Sequence, residues 1–379
     1  MDQTASSPTV RFPHRMLQEI YEQPDAISAA IRHHVSSGVI FRDGLGSIEA
    51  ALQKCNRIII AASGSSRHAG LAAEIMIEDL AGIAVDVEYS SEYCYRSTHA
   101  TSEPVVMVIT QSGETADTIA ALRVARDRKA HTLALSNVAG STASREAEIN
   151  LLTHAGPELS VPATKSFTTQ LAALFLLALF LAQKRNRIST ERFNRYLHEL
   201  ESIPNLLRDQ LPAWDTQALA WARQHKDAQD FLYLGRAVHY PIAREGALKL
   251  KESSYIHGEG YPTGELKHGP NALVDADSPV VILATSDRSD SDSVLRYEKT
   301  LGVIEDVTKQ GGKVLAIVSE ADNEAQHFTN NTISIPRASE LVSPILEVVP
   351  LQLFAYHVAV LNGCDVDHPR NLVKAVTRE

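Results

Sequence analysis

The stretch IIIAASGSSRHAGLAAEIMIEDLA, residues 58–81, decides the fold because it joins a short apolar run to a helical pattern through a hydroxyl-rich turn. The run 58–62 is typical of a buried strand, and the residues from about 69 to 81 favour a helix. Residues 105–127 repeat the arrangement with the strand pattern VVMVI, the turn TQSGET and a second helix. Strands that alternate with helices over short turns predict a parallel sheet covered by helices on both faces.

Both halves of the chain carry this pattern. Predicted strands lie at 58–62, 105–109 and 131–135 in the first half and at 231–234, 279–284 and 313–318 in the second, where helices are predicted near 241–255 and 291–309. We therefore predict an α/β protein of two doubly wound parallel-sheet domains in tandem, each with three α/β/α layers. The predicted divisions are a leader and helix at 1–40, a first domain at 41–185, a helical connector at 186–228 with breaks at Pro204 and Pro212, a second domain at 229–365 and a tail at 366–379.

Composition limits the class of protein. With 379 residues, of which 44% are hydrophobic and 22% charged, the chain is long enough for two globular domains. Its net charge of -10 argues against nucleic-acid binding. The cysteines, at 55, 94 and 364, lack disulfide or metal-ligand spacing, so neither a disulfide framework nor a metal site is predicted, and a reducing cytoplasm fits.

No membrane segment is expected. The residues before Met16 are polar and do not form a secretory signal. The apolar run 171–182 is too short to span a bilayer. It predicts a buried core helix instead.

The two hydroxyl-rich turns, 63–66 and 110–115, predict an anion site. Each lies between a strand end and a helix start, where backbone N–H groups lack partners and the helix dipole favours negative charge. In a doubly wound sheet this edge is also where ligands bind. The corresponding turns of the second half, 235–237 and 286–290, include two aspartates, so a phosphate is expected in the first domain only. Alternatively, the serines and threonines only cap the two helices.

A second stretch, PIAREGALKLKESSYIHGEGYPTGELKHGP at 241–270, predicts an enzyme. Pro241 suits the first turn of a helix, and Lys249 and Glu252 then lie on one face, within reach of the same bound molecule. His268 follows in the next loop. These groups are suited to proton transfer. Alternatively, each of them taken alone is an exposed surface charge or a loop histidine without a catalytic role.

Two further segments complete the pattern. Residues 150–170 contain two prolines and many hydroxyls, which indicates a long ordered loop of the kind that is usually functional. The tail from Asp367, with Lys374 in it, could simply fray.

Seven motifs together identify a resemblance. They are SGSS at 63–66, TQSGETADT at 110–118, THAGPE at 153–158, TKSFTTQ at 164–170, EGALKLKE at 245–252, GELKHGP at 264–270 and PRNLVKAVT at 369–377. In this order, from about Glu19 to Glu379, they resemble the sugar isomerase (SIS) domain family, and within it the isomerase domain pair of the glucosamine-6-phosphate synthases.

The resemblance implies catalytic roles. Glu252 matches the carboxylate that moves a proton between C1 and C2 of the open-chain sugar, and Lys249 matches a lysine that assists it. His268 matches the histidine that opens the sugar ring from the neighbouring subunit, which implies a homodimer with shared active sites. Lys374 matches the tail lysine that forms a Schiff base with the ketose.

The resemblance also implies a sugar-phosphate substrate, no cofactor and no metal. The implied substrate-binding residues are Ser66, Thr110, Gln111, Ser112, Thr115, Val161 and Val373, with Gln111, Ser112 and Thr115 around the phosphate. Two positions depart from the synthase pattern, since Thr110 and Ala163 stand where serine is usual. The loss of the hydroxyl at Ala163 removes a hydrogen bond worth about 0.5 to 1.5 kcal/mol if nothing replaces it.

The reaction itself stays open at this point. Because the region that resembles the isomerase already begins at about Glu19, we expect no glutaminase domain and no release of ammonia from glutamine. The favoured expectation is an isomerising deaminase that converts glucosamine 6-phosphate and water to fructose 6-phosphate and ammonia. The alternatives are an ammonia-dependent synthase or isomerase subunit, a fructosamine-phosphate deglycase and, outside enzymes, a sugar-phosphate sensor.

Overall fold

Two sheets of five parallel strands each organise the computed structural model, which describes residues 12–96 and 105–377. The polar leader predicted at the start of the chain lies partly outside the described residues. The predicted class, two parallel-sheet α/β domains in tandem, is confirmed.

The first sheet has the strand order β4-β3-β5-β6-β7, and every neighbouring pair is parallel. A short antiparallel hairpin, β1 and β2, precedes it. The elements of this half are α1 (Arg15–Tyr21), α2 (Gln23–His34), β1 (Val35–Ser36), β2 (Val39–Ile40), α3 (Glu49–Lys54), β3 (Arg57–Ala62), α4 (Gly64–Ala81), β4 (Ala84–Tyr89), α5 (Ser90–Tyr93), β5 (Val105–Thr110), α6 (Ala116–Asp127), β6 (His131–Ser136), α7 (Thr142–Glu146), β7 (Ile149–Leu152) and α8 (Lys165–Lys184).

The second sheet repeats this topology with the order β12-β11-β10-β8-β9, again parallel throughout. Its elements are α9 (Thr190–His225), β8 (Asp230–Gly235), α10 (His239–Ser254), β9 (His257–Pro262), β10 (Val280–Ala284), α11 (Ser291–Lys309), β11 (Val314–Ser319), β12 (Thr332–Ile335) and α12 (Pro344–Leu361). Short 3-10 helices cover Gly46–Ile48, Thr263–His268, Pro270–Leu273 and Ala325–His327.

In each sheet the chain moves outward from its first strand to an edge strand and then returns to the other side. The direction of winding therefore reverses between β3 and β5 and between β8 and β10. Open α/β sheets bind ligands at such a reversal, beyond the carboxyl ends of the strands. The turns 63–66 and 110–115 follow β3 and β5, so the topology brings them together.

The helices α8 and α12 form the centre of the molecule. Both are long and apolar enough to cross a membrane by length and composition, but 94% and 83% of their apolar windows are buried inside the protein. The prediction of a core helix at 171–182 is thus confirmed, although α8 is longer than predicted, at 20 residues. The main hydrophobic core is continuous and takes side chains from both halves of the chain.

The predicted breaks at Pro204 and Pro212 are wrong, because α9 continues through both prolines for 36 residues. Each proline removes one backbone hydrogen bond to the preceding turn. The buried side chains of α9 recur at helical spacing and include Leu200, Leu207 and Trp214, and the helix packs along α12 and α2. Burial of that continuous apolar stripe offsets the two missing bonds.

Candidate active site

A cavity of about 250 Å³ lies at the carboxyl ends of β3 and β5. Its walls are the turn 63–66, the turn after β5, the end of the loop before α8, one face of α10 and the tail segment 372–376. These five segments are far apart in sequence. The reversal of the first sheet and the packing of α10 against α4 bring them together.

The turn after β5 is held in shape by its own hydroxyl groups. The Thr110 hydroxyl accepts a bond from Gly113 N at 3.2 Å, and Ser112 Oγ accepts one from Glu114 N at 3.1 Å. Gly113 has φ of 71°, and a Cβ there would fall on the Ser141 side chain. Only glycine fits this close, left-handed turn, and α6 begins directly after it at Ala116.

The start of α4 supplies the opposite wall. Gly64, with φ of 55°, lets the chain turn sharply from β3 into the helix. Ser66 lines the cavity and its hydroxyl accepts a hydrogen bond from Gln170 Nε2 at 3.0 Å. That bond orients the serine from the first turns of α8. Two helix N-termini, those of α4 and α6, thus face one cavity, which suits an anion.

Lys249 and Glu252 form the reactive face of α10. The Lys249 side chain is fully buried and its Nζ lies 2.5 Å from Glu252 Oε2 and 3.5 Å from Glu245 Oε1, whereas Glu252 keeps 23% of its side chain exposed. Burial opposes the charge on Lys249, but the carboxylates of Glu252 and Glu245 outweigh it and raise the lysine pKa. Lys249 is therefore a fixed ammonium that holds a solvent-accessible carboxylate in place.

Glu245 extends this arrangement into the interior. It is fully buried, and its Oε2 lies 2.8 Å from His68 Nδ1 on α4. Burial works against its ionisation, but Lys249 and His68 lower the pKa of Glu245 below its ordinary value. The carboxylate stays ionised and ties α10 to α4.

The tail does not fray in its described part. Lys374 Nζ lies 2.5 Å from Glu158 Oε2, and Val376 O accepts a bond of 2.9 Å from Ala116 N at the start of α6. Glu158 is buried and also accepts bonds from Ser166 N at 3.0 Å and Ser166 Oγ at 2.6 Å. Burial opposes ionisation of Glu158, yet Lys374 and Ser166 lower its pKa.

The structure brings most of the predicted site residues into this one cavity. Those that line it are Ser66, Thr110, Gln111, Ser112, Thr115, Val161, Lys249, Glu252, Val373 and Lys374, together with Ala163. His268 is not among them. It lies at the end of the 3-10 helix Thr263–His268 and is exposed to solvent.

Sequence reasoning assigned no role to Glu158 or Glu245, the two buried carboxylates of the site. For Glu245 a signal existed, because it precedes Lys249 by four residues and so shares its helix face. For Glu158 no local pattern exists, because its partner Lys374 is 216 residues away in the chain.

The matching edge of the second sheet is filled by side chains of the protein itself. Glu347 of α12 accepts a bond from the Thr285 hydroxyl and pairs with His239 Nδ1 at 2.8 Å. His239 also faces Glu340 at 3.4 Å. Carboxylates of the protein therefore lie close to the carboxyl end of β10 in the second half.

Among the described residues, no group of three or more His, Cys, Asp or Glu side chains has an arrangement that could hold a metal ion. The cavity itself is lined by the carboxylate of Glu252, the side-chain nitrogens of Lys249 and Lys374 and the hydroxyl-rich helix N-termini.

Sequence comparison defines the class. The SIS domain pattern matches residues 51–180 and 226–362, and the chain belongs to this family. It is 47% identical over 370 residues to the glutamine–fructose-6-phosphate aminotransferase (isomerizing) of Chlorobaculum tepidum. Its identity to the enzyme of the same name from Bacteroides thetaiotaomicron is 42% over 370 residues. Both alignments cover 97% of this chain but 59% of the relative, so the chain spans about three fifths of the length of these curated relatives.

Solved structures agree. The C-terminal domain of glucosamine-fructose-6-phosphate aminotransferase from Francisella tularensis matches with a TM-score of 0.88 and 38% identity, over 96% of this chain and 100% of that one. A glucosamine-6-phosphate deaminase from Thermotoga maritima matches with a TM-score of 0.70 at 22% identity, over 96% of this chain and 99% of that one, and shares the fold. The resemblance to the isomerase part of the aminotransferases is confirmed.

Proposed function

We propose that this chain is an aminosugar-phosphate isomerase that interconverts glucosamine 6-phosphate and fructose 6-phosphate, with free ammonia as the nitrogen species. The observation that carries the proposal is the pair formed by buried Lys249 and solvent-accessible Glu252, aimed into a cavity with two helix N-termini. A base must be held at the reacting carbons while the phosphate is bound some distance away. This cavity has both parts.

The proposed proton transfer uses Glu252. With the sugar in its open-chain form, the Glu252 carboxylate takes the proton from C2 of the aminoaldose and returns it to C1, which gives a ketose imine. Water then adds to the imine carbon, and ammonia leaves as the carbonyl forms. Lys249 keeps the carboxylate oriented, because its ammonium is fully buried 2.5 Å away.

The phosphate is proposed to bind at the turn after β5. Gln111, Ser112 and Thr115 present hydroxyl and amide groups there, and the N-terminus of α6 adds its dipole. Binding of this unreactive group fixes the reacting carbons against Glu252. Ser66, Val161 and Val373 line the rest of the cavity, where the sugar would lie.

Ring opening is assigned to His268 of a second copy. In a single chain this histidine is exposed and does not line the cavity. A homodimer in which His268 of each copy reaches into the cavity of the other would complete both sites, as the family resemblance implies. We further propose a cytoplasmic location, since the reactants are metabolic phosphosugars.

The direction of the reaction has two candidates that use the same residues. Deamination needs only water in addition to the substrate. The synthase direction is supported by the names of the relatives at 38% to 47% identity and by Lys374 in the cavity, whose side chain can form a Schiff base with a ketose carbonyl once its ammonium has given up a proton. The ammonia concentration decides between the two directions.

The test is a pair of assays on the purified chain. Ammonia release is measured with glucosamine 6-phosphate, and hexosamine 6-phosphate formation is measured with fructose 6-phosphate and ammonium chloride. Turnover in either assay supports the proposal, and the two rates measured over a series of ammonium concentrations show which direction is favoured at each concentration. Tight binding of both phosphosugars without turnover in either assay would identify a sensor instead.

A further inference from the structure

A second cavity, of about 430 Å³, lies next to the candidate active site on the other side of Gly64. It is bounded by the first turn of α4, by α10 and by the edge strand β9. Three cations line it: Arg67, Arg244 and Lys251. Three tyrosines, at 89, 240 and 261, supply ring faces, and Glu259 is the carboxylate in its wall.

The cations of this cavity lack carboxylate partners. Within residues 12–96 and 105–377, no carboxylate oxygen lies within 4.0 Å of a charged nitrogen of Arg67, Arg244 or Lys251, although many other basic residues of the protein form such pairs. Glu259 instead lies close to Tyr261 and raises the pKa of its hydroxyl to about 12. No direct ion pair among the described residues neutralises these three charges, in a protein whose net charge is -10.

Arg67 has the fewest hydrogen-bond partners for its buried nitrogen atoms among the three cations. Its Nε and Nη1 are buried and have no hydrogen-bond partner, while Nη2 makes one long bond of 3.4 Å to Val87 O. Its guanidinium lies 3.8 Å from the centre of the Tyr89 ring. Burial and the repulsion of Arg244 lower the pKa of Arg67. A half-buried guanidinium in this state is stabilised by any anion that enters the cavity.

Arg244 is held in place by two tyrosine hydroxyls. Its two terminal nitrogens donate to the hydroxyls of Tyr240 and Tyr89, each at 3.3 Å. Strand β9 approaches so closely that a Cβ at Gly260 would lie 2.7 Å from the Arg244 Cα. The guanidinium is thus fixed by aromatic hydroxyls rather than by charge, which leaves its positive charge available.

We propose that this cavity binds a phosphorylated small molecule, with Arg67 and Arg244 as its anion clamp. Guanidinium groups attract phosphate strongly and keep their charge at any physiological pH. The volume is within the range of small-molecule sites, and the tyrosine rings provide a surface for the rest of the ligand. The site is separate from the proposed catalytic cavity, but both are lined by Gly64 and by α10, so a ligand here lies directly beside the catalytic groups.

Pyrophosphate is the probe for the test. Isothermal titration of the purified wild-type chain is expected to give two sites per chain, one in each cavity. The double variant Arg67→Gln with Arg244→Gln is expected to bind at one of them at least about 10-fold more weakly, a loss of about 1.4 kcal/mol. The double variant Ser112→Ala with Thr115→Ala is expected to weaken the other site only, so the two sites are told apart without any assay of turnover.

Arg123→Gln is the matched control, because Arg123 is an exposed arginine that is paired with Glu146 at 2.7 Å and lines neither cavity. Unchanged titrations for Arg67→Gln with Arg244→Gln would overturn the proposal. So would tighter binding of malonate than of pyrophosphate at this site, since that would make a carboxylate the ligand. Light scattering adds a third outcome. If the variant loses a dimer that the wild type forms, and the wild type binds no pyrophosphate here, the cations instead meet a second copy.

Discussion

Replacement of Glu158 by glutamine tests how the tail is held at the site. The native carboxylate is buried, pairs with Lys374 at 2.5 Å and accepts bonds from Thr164 N at 2.9 Å and from the N and Oγ of Ser166. Hydrogen bonds to a charged acceptor are worth about 1 kcal/mol more than those to a neutral one. Weakening of the three bonds from Thr164 and Ser166 should lower the free energy of unfolding by about 3 kcal/mol. This agrees with the roughly 3 to 5 kcal/mol that is typical of a broken buried ion pair.

Urea unfolding of wild type and Glu158→Gln measures this loss. Glu158 has a folded pKa below the ordinary 4.5, so its contribution is present above pH 4.5 and is lost as the pH falls through the folded pKa. The difference between the two proteins should therefore be full at pH 7 and should shrink in acid. Turnover should fall as well, because Lys374 loses its anchor. The control is Glu305→Gln, which breaks an exposed pair with Lys309. A loss at pH 7 no larger than that of the control would refute the reasoning.

Four further outcomes are expected. Glu252→Gln should lower kcat by about 100-fold or more with KM nearly unchanged, because a positioned base contributes about 10² to 10⁴; steady-state kinetics in both directions check this. Gly113→Ala should lower the free energy of unfolding by at least about 1 to 2 kcal/mol, because alanine is strained at the positive φ of this position. Gly302→Ala, in a helix with open space around it, should raise the free energy of unfolding by up to about 1 kcal/mol in the same urea assay. The pKa of buried His239 is raised to about 10 by its carboxylate partners in spite of burial, so its contribution is full below 6.5 and is lost as the pH rises toward 10; His239→Asn should flatten the dependence of unfolding free energy on pH in that range. Ala163→Ser should lower KM for the phosphosugar by about 2- to 10-fold if the restored hydroxyl bonds the sugar, and an unchanged KM would mean that another group already fills this position.

The central strands were predictable because their signal is local. The apolar runs at 58–62 and 105–109 are buried on both faces, and the turns after them are rich in hydroxyls, so composition alone identifies strand, turn and helix. The four edge strands, β4, β7, β9 and β12, were not predicted. The sequence of β9, HGEGYP, has two glycines and a proline, and only pairing with β8 makes it a strand.

The residues of the candidate site also fall into those that local sequence predicts and those whose position depends on distant parts of the chain. Lys249 and Glu252 were predicted together because one helix face presents both, and the turn 110–115 was predicted from its composition. The family resemblance supplied the place of Lys374 in the site, but its pairing with buried Glu158 depends on the whole path of the chain and was not predicted. The continuity of α9 through Pro204 and Pro212 was missed for a related reason, since the stripe that stabilises the helix has its partners on α2 and α12.

The continuous core described above bears on how the protein unfolds. Two sheets of identical topology suggest two parts that melt separately, but α8, α9 and α12 contribute to one core with side chains from both halves. Either half expressed alone would expose the apolar faces of these helices to water and aggregate. The chain should therefore lose its structure in a single cooperative transition, and a lesion in one half should lower the melting temperature of the other.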